Sequence, residues 1–367
     1  MKFKRKPSKL KLAQQATEEA INKTNERIDE LGKHTNDLYG ELCAIQEAFD
    51  NIRNVPSDKK IEYDKFKEIR SNWKQQAEKI ETDYKAAQAK QAGAGAAGAG
   101  LGVAVVAMGP TAAMGVATTF GVASTGTAIS SLSGAAATNA ALAWLGGGAV
   151  AAGGGGMAAG EAFLALAGPI GWAIAGVALV TSGLLIWKNI VDKKHIEDVF
   201  TLISERDVKS YELAIVEINE RIVRIDDETE KLHKATERIN SFGLDYNRMS
   251  EAQQYELGAY VNLMSSSTQL LVNPIVGILP KYTEDDYNEY LSWREESKDG
   301  ENKNLIICLC NLLYKIDLND RDKKLLRKSI KKNKNMLKQL EVKKKDVRSD
   351  IMTEVMDALN HKYDLCE

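Results

Sequence analysis

Charge is missing from one long part of this chain. Between Gln91 and Trp187 the only ionisable side chain is Glu161, while the other residues of the 367 hold 99 of the 100 Lys, Arg, Asp and Glu. Prolines number only six and aromatics make up 7%, which argues against a large, turn-rich α/β core. No stretch alternates in the manner of a strand. The four cysteines, Cys43, Cys308, Cys310 and Cys366, lack zinc-type spacing and read as reduced and structural. The four histidines, His34, His195, His233 and His361, stand at unrelated spacings with no His-x-x-x-His pair, so no metal site is expected.

Signatures of chemistry are equally scarce. There is no Gly-x-x-x-x-Gly-Lys-[Ser/Thr], which excludes a P-loop GTPase on this chain. Gly93-Ala-Gly-Ala-Ala-Gly98 matches the dinucleotide fingerprint as text, but it follows a charged helix instead of a strand. No nucleophile–base arrangement stands out. The expectation is a non-enzymatic protein without cofactors. A net charge of −2 argues against nucleic acid as a partner. The N-terminus is basic but has no apolar core or cleavage site. The chain is therefore expected to be made in the cytoplasm without a classical signal peptide, and then to convert to a membrane-bound form or leave by a non-classical route.

What the chain does have is heptads. Ile21, Thr24, Ile28, Leu31, Thr35, Leu38, Leu42, Ile45, Phe49 and Ile52 recur at alternating spacings of three and four, the seam of a coiled coil. Val55-Pro56-Ser57 is expected to end that helix, and Ser57 to cap a second over about 58–90. A second seam runs through Val208, Tyr211, Ile215, Ile218, Ile222, Ile225, Thr229, Leu232, Thr236 and Ile239. Neither seam can bury its stripe alone, so the two should pack together. Ser241-Phe-Gly243 reads as a stop. Ser250 caps a helix closed by Asn273-Pro274, and Ile275–Pro280 is an apolar connector. Thr283 to Asp286 opens a further helix, and Leu305–Tyr314 is a short core helix. Leu326, Ile330, Leu337, Leu340, Val347 and Ile351 predict a third long amphipathic helix.

The uncharged stretch also holds 22 of the 28 glycines. Ala162–Trp187 is 26 residues without charge, and about 20 apolar residues cross a bilayer core. Trp172 and Trp187 suit depth anchors, and Lys188 follows at once. Gly98 to about Phe120 is a second span, interrupted at Gly109-Pro110. Softer sequence around Trp144 and Gly153–Gly156 joins them, so the two make a hairpin with basic flanks on one side of the membrane. Gly98-x-x-x-Gly102 and Gly171-x-x-x-Ala175 would let helix backbones approach closely in lipid. The candidate inserting residues are Gly98, Gly102, Val105, Phe120, Trp144, Glu161, Trp172, Gly176, Leu179 and Trp187. Lys4, Arg5, Lys6 and Lys188 are the candidate headgroup contacts. Glu161 fits a helix start or the wet tip of the hairpin, and an intramembrane acid is the functional alternative.

Three fates of the hairpin compete: permanent burial in a bundle, constitutive anchoring, and storage followed by insertion. The resulting organisation is a basic tail at 1–11, N-terminal coiled-coil helices at 12–90 and a hydrophobic hairpin at 91–187. A long coiled-coil helix at 188–243 and a C-terminal helical region at 244–367 follow. The fold class is all-α, an elongated bundle.

This order of long helix, Gly/Ala hairpin, long helix and helical C-terminal part resembles the bacterial α-helical pore-forming toxins, the haemolysin E and tripartite enterotoxin-like group. The stretch Ala141–Gly160 also looks like Gly-rich segments of bacterial coiled-coil proteins, and loosely like apolipoprotein-L-type membrane regions. The toxin resemblance implies a lipid bilayer as partner, a homo-oligomer in the membrane and possibly a second protein component. The alternative is an intracellular coiled-coil scaffold or adaptor anchored by the same hairpin.

Overall fold

The computed structural model describes residues 8–92, 110–120, 190–279, 281–294, 302–332, 337 and 342–364. Within them the protein is all-α and contains no strand. The helices are α1 (Lys9–Asp50), α2 (Ser57–Ala92), α3 (Pro110–Phe120), α4 (Ile190–Asn240), α5 (Glu251–Val272), α6 (Glu284–Trp293), α7 (Lys303–Leu313), α8 (Asp320–Lys332) and α9 (Ile351–Asp364).

The two heptad seams do meet. Thr24, Ile28, Leu31, Thr35, Leu38, Leu42, Ile45, Phe49 and Ile52 are all buried. On α4, Tyr211, Ile218, Ile222, Ile225, Leu232 and Ile239 are buried, and so are Ala214 and Ala235. The face on α4 is wider than a two-stranded seam because α5 covers it as well. Cross-contacts set the direction: the Thr17 hydroxyl donates to Ser204 O, His34 pairs with Asp226, and Glu41 pairs with His233. Residue numbers rise together, so α1 and α4 are parallel. A backbone pair, Arg53 N to Leu244 O and Tyr246 N to Arg53 O, closes the far end.

The returning helices complete the body. Lys67 bonds Asp50, and the Trp73 ring lies 5.4 Å from that of Tyr39, so α2 runs back along α1. Glu228 accepts from Ser266 and Ser267 while Arg238 donates to Glu256, so α5 runs back along α4. The buried guanidinium of Arg70 on α2 joins Gln46 of α1 (2.7 Å) to Thr268 of α5 (3.4 Å). Burial lowers its pKa, and the bonds to both neighbours compensate for that desolvation. α5, from the region 244–367, thus packs in the same bundle as α1, α2 and α4.

Local signals behave as side-chain chemistry requires. Ser250 and Gln253 form a capping box, as do Thr283 and Asp286. Gly243 ends α4 with φ +87°. α1 stops at Asp50, earlier than Pro56 predicts: Arg53 is drawn into backbone bonds with Leu244 and Tyr246, Asn54 is left-handed (φ 62°), and Ser57 is already the first residue of α2. α1 also begins at Lys9, inside the basic tail placed at 1–11.

The third long amphipathic helix is a correction. Among the described residues α8 ends at Lys332, a turn lies at 344–346, and α9 begins at Ile351. Lys343 N donates to Asp346 Oδ2 (2.7 Å), and Arg327 of α8 donates to the carbonyls of Val347 and Arg348. The apolar stripe therefore folds back, and Leu326, Ile330, Val347 and Ile351 share one core. The C-terminal helices centre on α7, whose Leu305, Ile306, Leu309, Leu312 and Leu313 are fully buried. Cys308 and Cys310 are free thiols in that core, and burial raises both pKa values.

Candidate functional site

One part of the uncharged stretch lies among the described residues, and it is seated inside the body. α3 packs against α1, α2 and α5. Ala113, Met114, Val116, Ala117, Thr118 and Thr119 are all buried. Pro110 suits the first helical position, where its missing N–H is not needed. Beyond that, a helix of Gly, Val and three Thr has little intrinsic preference to form. Burial on nearly every face holds it.

The contact with α1 is made by backbone. A Cβ added to Gly32 would lie 1.8 Å from the Thr111 carbonyl oxygen, and one added to Gly115 would lie 2.0 Å from the Ile28 carbonyl oxygen. The glycine hydrogens therefore point at carbonyls across the helix pair, the geometry of reciprocal Cα–H···O contacts. Residue 111 lies beside 32 and residue 115 beside 28, so α3 runs antiparallel to α1. Close approach through small residues is how helices associate in lipid. Here the same device operates within the body.

The end of α3 is held by a strap. Ile275 N donates to the Thr119 carbonyl at 2.7 Å, satisfying one of the last-turn acceptors that a helix leaves open. The strap is itself fixed to α4. Arg221 donates to the carbonyls of Leu270 (2.7 Å) and Asn273 (2.9 Å), and Glu217 accepts from Gly277 N (3.0 Å). Gly277 lies so near α4 that a Cβ there would meet the Ala214 backbone at 2.9 Å. Burial lowers the pKa of Arg221, with Arg224 acting in the same direction. The hydroxyls of Thr118 and Thr119 are buried with no hydrogen-bond partner. Unsatisfied buried hydroxyls weaken the seat.

Of the sequence-expected site residues, only Phe120 falls among the described residues, as the last residue of α3. Gly98, Gly102, Val105, Trp144, Glu161, Trp172, Gly176, Leu179, Trp187, Lys4, Arg5, Lys6 and Lys188 lie outside them. So does most of the hairpin at 91–187. Among the described residues no helix is long and apolar enough to cross a membrane. α3 has 11 residues, about 16 Å of helix against a hydrocarbon core of about 30 Å.

Sequence reasoning missed Gly32. A glycine inside a charged heptad helix costs about 1 kcal/mol relative to alanine, which is a signal of close backbone approach. Gly40 carries the same signal on α1, yet nothing lies within 4 Å of its Cβ position. The pattern alone does not separate the two. No family model, curated protein or solved structure matches this chain.

Proposed function

We propose that this is a non-enzymatic, membrane-inserting helical protein. Its Gly/Ala-rich hairpin is stored against the helical body and released on contact with lipid or a partner. Oligomers of the released form then permeabilise the bilayer, because two or three weakly apolar helices do not enclose a channel. The observation that carries this reading is the seat of α3. An uncharged segment from the anomalous stretch is buried by backbone-level contact with α1 and strapped at its end by Ile275. Such a seat fits storage better than a constitutive anchor, whose apolar segment would rest in lipid. Small side chains also bury little area each, so release costs less than extraction of an ordinary core helix.

The test is dye leakage from liposomes, read beside flotation. Folded protein should remain in the aqueous fraction without lipid and cause leakage when vesicles are added. A charge introduced by Gly176→Lys or Leu179→Lys should abolish leakage while the helical content of the free protein stays unchanged. A protein that pellets with membranes from the start would favour the anchored scaffold. Absence of leakage with folded protein across lipid compositions would count against the proposal.

A further inference from the structure

We infer that the end of the body where α1 and α4 begin is a docking surface for anionic lipid headgroups. The inference rests on the membrane-inserting reading above and names the lipid class that it engages.

Because α1 and α4 are parallel, their first turns lie at the same end. There Lys9, Leu10, Ile190, Lys193 and Lys194 line a cleft of ≈ 440 Å³. Glu197 and Asp198 also line it, one turn further into the body, and Glu197 pairs with Lys193 at 3.9 Å. Both signs of charge therefore meet at this end: Asp192 in the first turn of α4 is paired with Arg321, and Lys193 and Lys194 follow it. On α1, Lys9 and Lys11 precede the first acid, Glu18. The start of α8 is fixed to this end by Arg321–Asp192 (2.8 Å) and His195–Asp322 (3.5 Å). Those contacts engage the acids Asp192 and Asp322 within the body. Lys323 and Lys324 follow, and Lys324 is exposed. The first turns of α1 and α8, far apart in sequence, are thus brought to one end, where the exposed Asp320 accompanies the lysines.

Two further observations select lipid over nucleic acid. Ile190 is 83% exposed, Val191 53% and Leu12 52%. Apolar side chains interleaved with lysines suit the headgroup–acyl boundary, where cations meet phosphate and the apolar groups leave water. A nucleic-acid backbone would give them no such environment. The second is continuity. The uncharged stretch ends at Trp187, three positions before Ile190, at most about 11 Å of chain. If that stretch enters a bilayer, the first turn of α4 must lie at headgroup depth.

The experiment uses the full chain and vesicles of phosphatidylcholine, with and without phosphatidylserine. Flotation should show binding to the phosphatidylserine vesicles that weakens as salt rises. Lys9→Gln, Lys194→Gln and Lys324→Gln should each weaken it about fivefold, and the triple variant about 100-fold, with unchanged circular dichroism. Equal binding to both vesicles, or no effect of the triple variant, overturns the surface. Leakage from neutral vesicles under those conditions would leave the membrane-inserting reading intact. Loss of leakage from every vesicle would sink that reading instead. Preferential binding of the same lysines to a DNA duplex, competing off the vesicles, also overturns the surface.

Discussion

α3 and α7 are both eleven-residue buried helices, and they are held in opposite ways. α7 presents Leu and Ile to a core of large side chains, and the buried amide of Asn311 is fully used. Asn311 Oδ1 accepts from Lys281 N and Tyr282 N, while Nδ2 donates to the carbonyls of Tyr282 and Ile307. The end of α7 is tied to α4 by Arg206, which donates to the carbonyls of Leu312 and Tyr314. α3 presents Ala, Gly and Thr, touches α1 through backbone, and leaves two hydroxyls without partners. Burial alone does not distinguish them. The difference lies in area per residue and in polar satisfaction: α7 is fixed by mass and bonds, α3 by fit.

The contrast can be broken from either side. Leu309→Ala in α7 should destabilise the whole protein by about 2–5 kcal/mol, seen as one cooperative loss in chemical denaturation. Gly115→Val should act differently. The Cβ meets backbone, which has no flexible end to move, so overpacking of about 3 kcal/mol should fall on the seat. Amide exchange in α3 should accelerate while the body keeps its helicity; if Gly115→Val instead unfolds everything, α3 is as much core as α7.

A third prediction concerns the anchor of α7. Asp207 is buried beside Arg206, one carboxylate oxygen bonded and the other without a partner. Burial pushes its pKa up to about 6, against the opposing pull of Arg206. The folded state then keeps a proton that the unfolded chain loses above about pH 4. Stability should therefore fall as pH rises from about 4 to 6, by up to about 3 kcal/mol, and Asp207→Asn should flatten that slope. Burial raises the pKa of Glu354 too, which adds in the same direction. Denaturation midpoints at pH 5 and 7 measure it. Mild acid should thus firm this region instead of loosening it. The smallest effect is a gain: Thr118→Val removes an unpartnered hydroxyl and should stabilise the seat by about 1 kcal/mol, slowing α3 exchange and delaying leakage.

Much of the body was legible because its causes are local or periodic. The heptads at Ile21–Ile52 and Val208–Ile239 demanded a partner, and Ser250 and Thr283 announced their helices through side-chain caps. The long helix expected across Leu326–Ile351 failed because its stripe continued through a turn without Gly or Pro. Lys343 and Asp346 make that turn by hydrogen bonding, and lysine-rich sequence hides it. The seat of α3 was not legible for another reason. Gly32 and Gly115 meet across two helices far apart in sequence, and such a contact leaves no period in either segment.

The parallel pairing of α1 with α4 bears on synthesis. His34 awaits Asp226, 192 positions later. At about 5–20 residues per second, the first seam is exposed to solvent for roughly 10–40 s before its partner leaves the ribosome. During that interval the whole uncharged stretch emerges, ahead of the strap that must hold α3. The order of the chain thus leaves its least charged segment unguarded at birth. A nascent-chain chaperone, or a membrane close to the ribosome, has its opportunity there.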